Sequence, residues 1–380
     1  MKVVIAIDSF KGSLSSMEAG HAAAEGILRA DPNADIVVRP LADGGEGTVE
    51  TLVQGLDGRI REIPVTGPLG EIISASYGII DKSGMAVIEM SAAAGLPMVP
   101  ADKRNPLYTT TYGVGEMIRD AIKLGMRRFL VGIGGSATND GGAGMLQALG
   151  FGLLDANGND IPHGARGLEA LAQITDMHAI PELKDCTFRI ACDVNNPLCG
   201  EKGASAVYGP QKGADPEMVK QMDAWLAAFA ALAKEQDPAI DPDMPGSGAA
   251  GGLGFAFQAF LHGELRSGIQ IVLEETGLEN DVKDADAVVT GEGRLDFQTA
   301  MGKAPVGVAK LAKKYGATTI AFAGSVTPEA TECNRNGIDA FFPILRGVVT
   351  LEEAMDSENA HRNLAATAEQ AFRLALAWKH

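Results

Sequence analysis

The sequence predicts an α/β protein of two domains, and three observations support this prediction. First, its 380 residues exceed what one ordinary hydrophobic core accommodates. Second, near both ends of the chain, apolar strand-like segments alternate with segments of helical spacing, which is typical of a parallel sheet covered by helices. Third, closely spaced strand-like segments over residues 61–90 interrupt this alternation and indicate a mixed sheet in a separate domain.

The two ends of the chain predict the first domain, a doubly wound parallel sheet with helices on both faces. The helix expected over 15–30 has Met17, Ala22, Ile27 and Leu28 on one face, and the helix expected over 304–316 ends on a glycine. The expected elements are strand 2–7, helix 15–30, strand 34–40, helix 46–56, strand 285–291, helix 304–316, strand 318–324, helix 329–337, strand 338–344 and helix 363–378.

The residues between these ends predict an inserted α/β domain with a mixed sheet. The segment DKSG (81–84) separates two strand-like segments and favours an antiparallel hairpin. The expected elements are strands 61–70, 72–80 and 84–90, helix 113–125, strands 127–133 and 188–194, and helix 216–236. We therefore expect a discontinuous domain over about 1–60 plus 281–380 and an inserted domain over about 61–280, with a ligand cleft between them.

Charge and composition exclude several classes of protein. A formal net charge of −17 argues against a nucleic-acid partner, and it means that a site for an anionic substrate must create its own positive potential. The four cysteines form no C-x-x-C pair, which predicts free thiols in a reducing compartment. We find no run of about 18 uncharged apolar residues and no signal-peptide pattern. These features predict a cytoplasmic protein with no membrane partner.

Two polar segments follow the first two predicted strands, where residues of a parallel sheet face a ligand crevice. In DSFKG, Asp8 is followed by Lys11, whose ammonium can hold a phosphate or a carboxylate; the alternative is a helix cap with a solvated lysine. In ADGGEGT, Asp43 and Glu46 suit Mg²⁺ or a general base, and the alternative is a capping box at a helix start.

The segment GIGGSATNDGG (132–142) follows a predicted strand and allows its backbone to approach a ligand closely. Its spacing Gly132-x-Gly134-x-x-Ala137 matches the dinucleotide fingerprint, and Asp155 lies at a plausible distance downstream. Against that interpretation, the polar run SATND stands where the fingerprint leads into an amphipathic helix. A second match in PGSGAAGGLG follows no strand, so the pattern arises easily in a chain of 47 glycines.

A fourth polar segment follows the predicted strand FRIACDV. Asp193 ends this strand, Asn195 and Asn196 come next, and Gln211 and Lys212 lie further along. Amide side chains at this density suit hydroxyl and carboxylate groups, although ordinary turns have the same composition.

A fifth segment, TGEGRLDFQTAMGKAP, follows the predicted strand ADAVVTG. It combines Glu292, Arg294, Asp296 and Lys303 in a glycine-containing loop at the carboxyl end of a strand. It is not a Walker A motif, because Phe297 and Ala304 replace the required glycine and the Ser or Thr.

Taken together, these segments resemble a known family. The segments IDSFKGSLSS, ADGGEGT, VTGPLG, GIGGSATNDGGAGMLQALG, CDVNNPL, GPQKGA, GAAGGLG and TGEGRLD occur in this order along essentially the whole chain. With them the chain resembles the bacterial glycerate kinases of the type I family. The resemblance implies two α/β domains, one of them Rossmann- or flavodoxin-like. It also implies ATP-dependent phosphorylation of D-glycerate with Mg²⁺, and a 2-phosphoglycerate product in many members.

The resemblance identifies the functional segments more reliably than it assigns a role to each residue. Phosphoryl transfer needs positioning and charge stabilisation. We expect Asp193 to orient or deprotonate the attacking hydroxyl, with Asp8, Asp43 and Asp296 as competitors. The residues expected in catalysis are Asp193, Lys11, Asp8 and Arg294. Those expected to bind substrate or nucleotide are Ser9, Gly44, Gly45, Gly134, Gly135, Ser136, Thr138, Asn139, Asp140, Asn195, Gln211, Lys212, Gly291, Glu292 and Gly293. Those expected at the metal are Asp43, Glu46 and Asp296.

Alternatives to this function remain at the level of sequence. One is a glycerate kinase that forms 3-phosphoglycerate, since the choice of hydroxyl depends on small differences in placement. Another is an NAD-dependent hydroxy-acid dehydrogenase, which the fingerprint at Gly132 supports. A third is a non-catalytic sensor of a small acid, although the sequence has no DNA-binding motif, basic patch or membrane segment that would give such a sensor an output. The expected partners are small molecules only, and both a monomer and a homodimer are compatible with the sequence.

Overall fold

The computed structural model describes residues 1–45 and 47–378. The chain divides into two compact units. The first unit comprises Met1–Asp43, Glu50–Asp57 and Ile269–His380, and the second comprises Gly44–Val49 and Gly58–Gly268.

The described residues form strands and α-helices that alternate over much of the chain. The strands are β1 (Lys2–Ile7), β2 (Asp35–Val38), β3 (Arg59–Thr66), β4 (Ile72–Ile80), β5 (Met85–Glu89), β6 (Arg128–Gly132), β7 (Gly152–Leu154), β8 (Gln173–Thr175), β9 (Thr187–Ala191), β10 (Glu264–Arg266), β11 (Ala287–Leu295), β12 (Thr318–Val326) and β13 (Ala340–Pro343). The helices are α1 (Ser16–Ala30), α2 (Thr48–Gly55), α3 (Ser91–Ala94), α4 (Tyr112–Lys123), α5 (Ala143–Ala148), α6 (Ala204–Tyr208), α7 (Pro216–Gln236), α8 (Leu253–Leu261), α9 (Gly268–Glu275), α10 (Leu278–Val282), α11 (Phe297–Ala300), α12 (Ala304–Lys314), α13 (Glu332–Arg335), α14 (Leu351–Met355) and α15 (Ser357–Ala377).

The first unit contains a five-stranded parallel sheet in the order β13-β12-β11-β1-β2. Alternate residues of β1 enter different cores, because successive side chains of a strand point to opposite faces. Ile5 packs with Ala22 of α1 and Leu364 of α15, whereas Val4 packs with Val308 of α12. This arrangement confirms the doubly wound sheet. The strand order reverses between β1 and β11, and ligands bind at such a switch point in open α/β sheets.

The limits of the first unit differ from the boundaries at 60 and 281 that the sequence predicts. Helices α9 and α10 belong to this unit from Ile269 onward. Ile269, Leu278 and Val282 are buried against Val4 of the parallel sheet. These helices therefore serve the core of the first unit, although the sequence gives them no feature that distinguishes them from the inserted domain.

The second unit contains a six-stranded sheet in the order β10-β9-β6-β5-β4-β3. Strands β3, β4 and β5 pair in antiparallel fashion, and β5, β6, β9 and β10 pair in parallel. The mixed sheet and the antiparallel β4–β5 hairpin are thus confirmed. A separate antiparallel pair, β7 and β8, lies outside this sheet.

Two further expectations concern the thiols and the membrane. All four cysteines are free thiols, as the sequence predicts. Over the part of the chain that the structure describes, no helix has both the length and the apolar character needed to cross a bilayer.

Candidate functional site

A cavity of about 400 Å³ lies in the first unit, where the carboxyl ends of its parallel strands meet. We call it the sheet-edge cavity. Its described lining residues are Asp8, Ser9, Phe10, Lys11, Ser13, Asp43, Glu292, Gly293, Arg294, Asp296, Lys303, Gly324, Ser325, Ile344, Leu345, Leu351, Ala354, Met355 and Ala360. It therefore brings together those residues of DSFKG, ADGGEGT and TGEGRLDFQTAMGKAP that belong to the first unit.

The turns after β1 and β2 are fixed by hydrogen bonds. The buried hydroxyl of Ser16, at the start of α1, donates to Ile7 O (2.7 Å) and accepts from Leu41 N (2.9 Å). The N–H of Asp8 donates to Gly291 O (2.9 Å), which continues the pairing of β1 with β11 beyond the end of the strand. These bonds set the backbone from which Asp8 and Asp43 enter the cavity. Asp8 does not cap α1, because Ser15 does.

Asp8 is the most perturbed acid of the sheet-edge cavity. Its side chain is buried, and the N–H of Ser9 donates to its Oδ1 (2.7 Å). Burial raises the pKa of Asp8 to about 7, and the neighbouring carboxylates of Asp43 and Glu292 act in the same direction. Lys11 opposes this effect. A carboxyl group with a pKa near neutral pH suits general base catalysis.

Glu292 lies in the last part of β11, and Asp296 directly follows the strand. Burial raises the pKa of Glu292, and the hydroxyl of Thr299 donates a hydrogen bond to its carboxylate. Asp296 caps α11 by accepting from the N–H groups of Gln298 (2.8 Å) and Thr299 (3.3 Å). One oxygen of Asp296 is thus committed to the helix, and its Oδ2 lies 3.9 Å from Arg294 Nε.

Three cations line the cavity together with these acids. Lys11 and Arg294 are exposed, and Lys303 is partly buried at the position that precedes α12. The amino end of a helix adds positive potential near Lys303. The sheet-edge cavity therefore has carboxylates that can accept a proton or bind a cation, and cationic side chains that can bind an anion. Its three cations give an anionic ligand positive partners in a chain whose net charge is −17.

The glycine-rich segment 132–142 lies in the second unit, and its polar half is buried. Asp140 is fully buried, and its carboxylate accepts from Thr111 N (2.9 Å), Thr111 Oγ1 (2.9 Å), Gly142 N (3.1 Å) and Gly144 N (3.3 Å). Burial raises the pKa of Asp140. The amide of Asn139 donates to Ser205 Oγ (2.8 Å). In this geometry the two side chains hold the loop, and Gly134 and Gly135 form its exposed part.

Lys212 lies beneath the same loop and is fully buried. Its ammonium donates to Ser136 Oγ (2.7 Å) and to the carbonyl oxygen of Thr138 (2.6 Å). Burial lowers the pKa of Lys212 to about 7, and the charge of Asp140 opposes this change. The contacts that the structure gives Lys212 are thus contacts with the loop, and a role in ligand binding stays a prediction.

The remaining predicted residues of the second unit are mostly exposed. Asp193 follows β9, and its Oδ1 accepts from Gly268 N (3.3 Å). Asn195 and Gln211 are exposed. Gly44 has a positive φ of 87°, and a Cβ on it would lie 2.6 Å from Ala191 Cβ, so only glycine fits beside the end of β9.

The dinucleotide fingerprint lacks its usual structural context. The sequence Gly132–Ala137 does not open a helix, because the next helix, α5, begins at Ala143. The N–H of Ala137 instead donates to Ala94 O (2.8 Å). The carboxylate of Asp155 accepts from the N–H groups of Asn157 and Asn159 in a local turn. This geometry weakens the dehydrogenase alternative.

Two of the three residues expected at the metal belong to the described part of the chain. Glu46 lies outside the described residues, and Asp43 and Asp296 both line the sheet-edge cavity. Within residues 1–45 and 47–378, no group of three His, Cys, Asp or Glu side chains is arranged to hold a metal ion. Mg²⁺ does not require one, because it binds through one or two carboxylates together with phosphates and water.

Sequence reasoning missed one side of the cavity. Ile344, Leu345, Leu351, Ala354 and Met355 line it, and none of them belongs to the five polar segments described in the sequence analysis. The sequence does contain a signal for this apolar side. Apolar residues recur over 344–355 without the pattern of a buried strand or a long helix.

Comparison with known proteins supplies independent findings. The family model described as "Glycerate kinase family" matches residues 3–376. The chain is 49% identical to the "Glycerate 2-kinase" of Escherichia coli (strain K12), covering 97% of this chain and 98% of that protein. It is 49% identical to the "Glycerate kinase" of Bacillus subtilis (strain 168), covering 97% of each chain.

A solved structure agrees with these relatives. The crystal structure of "putative glycerate kinase 2" from Salmonella typhimurium LT2 is 48% identical and superimposes with a TM-score of 0.92. The match covers 100% of this chain and 99% of that chain. The similarity in sequence and fold thus extends over both units.

Proposed function

Because the chain belongs to the glycerate kinase family, we propose that it transfers the γ-phosphoryl group of ATP to the 2-hydroxyl of D-glycerate. The products are ADP and 2-phospho-D-glycerate. One observation carries this proposal, namely 49% identity over nearly the full length of both chains to a protein named glycerate 2-kinase. The enzyme is thus a phosphotransferase with an alcohol group as acceptor, and we place it in the cytoplasm.

The chemistry of the sheet-edge cavity supports the proposal. ATP and glycerate are both anionic, and phosphoryl transfer depends on positioning and charge stabilisation. Lys11, Arg294 and Lys303 line the cavity together and supply that charge. Ser13 also lines it, and its buried hydroxyl has no hydrogen-bond partner within the described part of the chain. A phosphate oxygen would satisfy this hydroxyl.

We assign the role of general base to Asp8. The hydroxyl of glycerate must lose its proton as the phosphoryl group arrives, and a carboxylate with a pKa near 7 accepts a proton efficiently at neutral pH. Asp8 has this property because of its burial and its acidic neighbours. The sequence favours Asp193 for this role, and that assignment stays a competing prediction which substitution of each residue distinguishes.

The acids beside Asp8 suit the magnesium ion that accompanies ATP. Asp43 and Asp296 are close enough to Glu292 that both carboxylates raise its pKa. Such an excess of negative charge fits a divalent cation. Asp43 and Asp296 would hold the ion together with phosphate oxygens, and the ion would neutralise charge on the triphosphate.

An assay of both co-substrates tests this function. The purified protein is incubated with Mg²⁺, D-glycerate and either ATP or NAD, and ADP release is compared with absorbance at 340 nm. We expect ADP release that depends on D-glycerate, without reduction of NAD. Reduction of NAD without ADP release would identify the dehydrogenase alternative instead.

A further inference from the structure

One side of the sheet-edge cavity is apolar, and we call Ile344, Leu345, Leu351, Ala354 and Met355 the apolar wall. Ile344 is buried in the core, whereas Leu351 is 78% exposed and Met355 39% exposed. Large apolar side chains at the rim of a charged cavity leave apolar surface in water. The wall is therefore a surface that a ligand with an apolar part would cover.

The wall is built on a short helix with a well-defined start. The hydroxyl of Thr350 accepts from Glu353 N (3.2 Å), and the N–H of Thr350 donates to the carboxylate of Glu353 (2.9 Å), which forms a capping box. Positions three and four apart share a face of a helix. Leu351, Ala354 and Met355 consequently face the same direction, toward the cavity that all three line.

The wall and the charged side of the cavity are in contact through the turn after β1. Gly12 in this turn has a positive φ of 78°, and a Cβ on it would lie 3.0 Å from Met355 Cε. The methionine thus packs against the turn that presents Lys11. A single cavity therefore joins an apolar surface to a cluster of cations.

From this arrangement we infer that the apolar wall binds the base of the nucleoside triphosphate, with the triphosphate extending toward Lys11, Arg294 and Lys303. The inference rests on the proposed function and identifies which part of the cavity takes which part of the nucleotide. A nucleotide has a flat apolar end and a polyanionic end, which matches the two sides of the cavity. Methionine and leucine contact aromatic rings favourably.

The composition of the wall also determines the selectivity for the base. None of the five side chains of the wall carries a hydrogen-bonding group. Sites that bind a base edge through polar groups reject analogues by factors of roughly 10⁴, whereas apolar pockets discriminate weakly. The enzyme should accordingly use ATP, GTP and ITP with kcat/KM values within about tenfold of one another.

Substitution of Leu351 tests the inference, with Val348 as matched control. Val348 is fully exposed, apolar and close in sequence, but does not line the cavity. Leu351→Ala should raise the KM for ATP and the Kd for a non-hydrolysable ATP analogue, measured by calorimetry with Mg²⁺, by about 10-fold. The KM for D-glycerate should stay unchanged. Val348→Ala should behave like the wild type in each measurement.

The outcomes separate this inference from the proposed function. Unchanged nucleotide affinity in Leu351→Ala, or a preference for ATP over GTP beyond 10³-fold, would overturn the inference while leaving the kinase activity intact. A wild-type protein that releases no ADP with glycerate would refute the proposed function, and calorimetry would still test the nucleotide site. If Leu351→Asp turned a dimer into a monomer in sedimentation without changing nucleotide affinity, the wall would be an interface between copies of the chain.

Discussion

At the scale of single residues, the raised pKa of Asp8 has a cost in stability, and it suits the general base role that we propose. Its folded-state pKa of about 7 lies above its ordinary value of 3.8. Between these two pH values the native protein therefore binds more protons at this site than the unfolded chain. The contribution of Asp8 to the free energy of unfolding falls as the pH rises through this window and stays low above it.

Asp8→Asn should relieve this cost and remove the base. At pH 8 we expect the free energy of unfolding to rise by on the order of 2 kcal/mol relative to the wild type, with little difference at pH 4. Turnover should fall by about 10² or more. Urea unfolding at the two pH values and steady-state kinetics measure these effects.

Asp193→Asn is the variant with which the turnover of Asp8→Asn is compared, because Asp193 is the competing candidate for the general base. If Asp193→Asn loses turnover while Asp8→Asn keeps it, the base is Asp193. If Asp8 is the base, kcat/KM of the wild type should increase with pH through about 7. Glu292→Gln should move this increase to lower pH, because Glu292 raises the pKa of Asp8.

Lys212 should show the opposite dependence on pH. Its folded-state pKa of about 7 lies below the ordinary value of 10.5, so the unfolded chain binds more protons between these values. The wild type should therefore gain stability relative to Lys212→Met as the pH rises from 7 to 9.5, by on the order of 2 kcal/mol. Lys220→Met, which removes an exposed lysine of α7, is the control. Equal pH profiles for wild type and Lys212→Met in urea unfolding would contradict the burial of a titrating ammonium.

The limits of prediction from sequence are clearest at Lys212 and Asp140. Both stand in motifs whose composition resembles a ligand-binding loop, and the sequence places them among the binding residues. The structure buries them, because Lys212 meets Ser136, a residue 76 positions away, and Asp140 meets Thr111, 29 positions away. Local spacing contains no information about such distant partners, whereas it does locate Asp8 and Asp43 at strand ends.

At the scale of elements, the contact between α1 and α15 depends on the absence of a side chain at Gly26. A Cβ at this position would lie 2.0 Å from Ala365 O of the facing helix. Both helices cover the same face of the parallel sheet. The close approach of α1 and α15 thus determines how tightly the two helices cover that face of the sheet.

Gly26→Ala should destabilise the protein, although alanine is the better helix former. Backbone displacement of α15 should cost about 2 kcal/mol or more in the free energy of unfolding. Gly347→Ala is the control, since a Cβ there meets no atom within 4 Å and its φ is not positive. An unchanged denaturation midpoint for Gly26→Ala would show that the helices separate freely.

The sequence predicts helices and strands of clear periodicity well. It predicts less well to which of the two units each element belongs. The expected helix over 216–236 coincides with α7, and the hairpin at 81–84 connects β4 and β5. Helices α9 and α10 show why the sequence misplaces the boundary. Their buried residues Ile269, Leu278 and Val282 are ordinary apolar residues, and only the three-dimensional contact with Val4 identifies the unit that they serve.

At the scale of the whole molecule, the proposed reaction requires an acidic chain of net charge −17 to bind two anions. Positive groups meet in the sheet-edge cavity, where Lys11, Arg294 and Lys303 line one space. These groups lie at the carboxyl ends of the parallel strands of a chain that is similar to glycerate kinases over its whole length. Function in this account therefore depends on local potential and not on net charge.

The most direct test of the account is the identity of the product, determined by proton-coupled phosphorus NMR after incubation with ATP, Mg²⁺ and D-glycerate. Phosphorus bonded to the 2-oxygen couples to one carbon-bound proton, and phosphorus on the 3-oxygen couples to two. We predict a new phosphomonoester doublet that grows with the resonances of ADP. A triplet would assign the phosphoryl group to the 3-hydroxyl, and a spectrum in which ATP is unchanged would contradict the kinase itself.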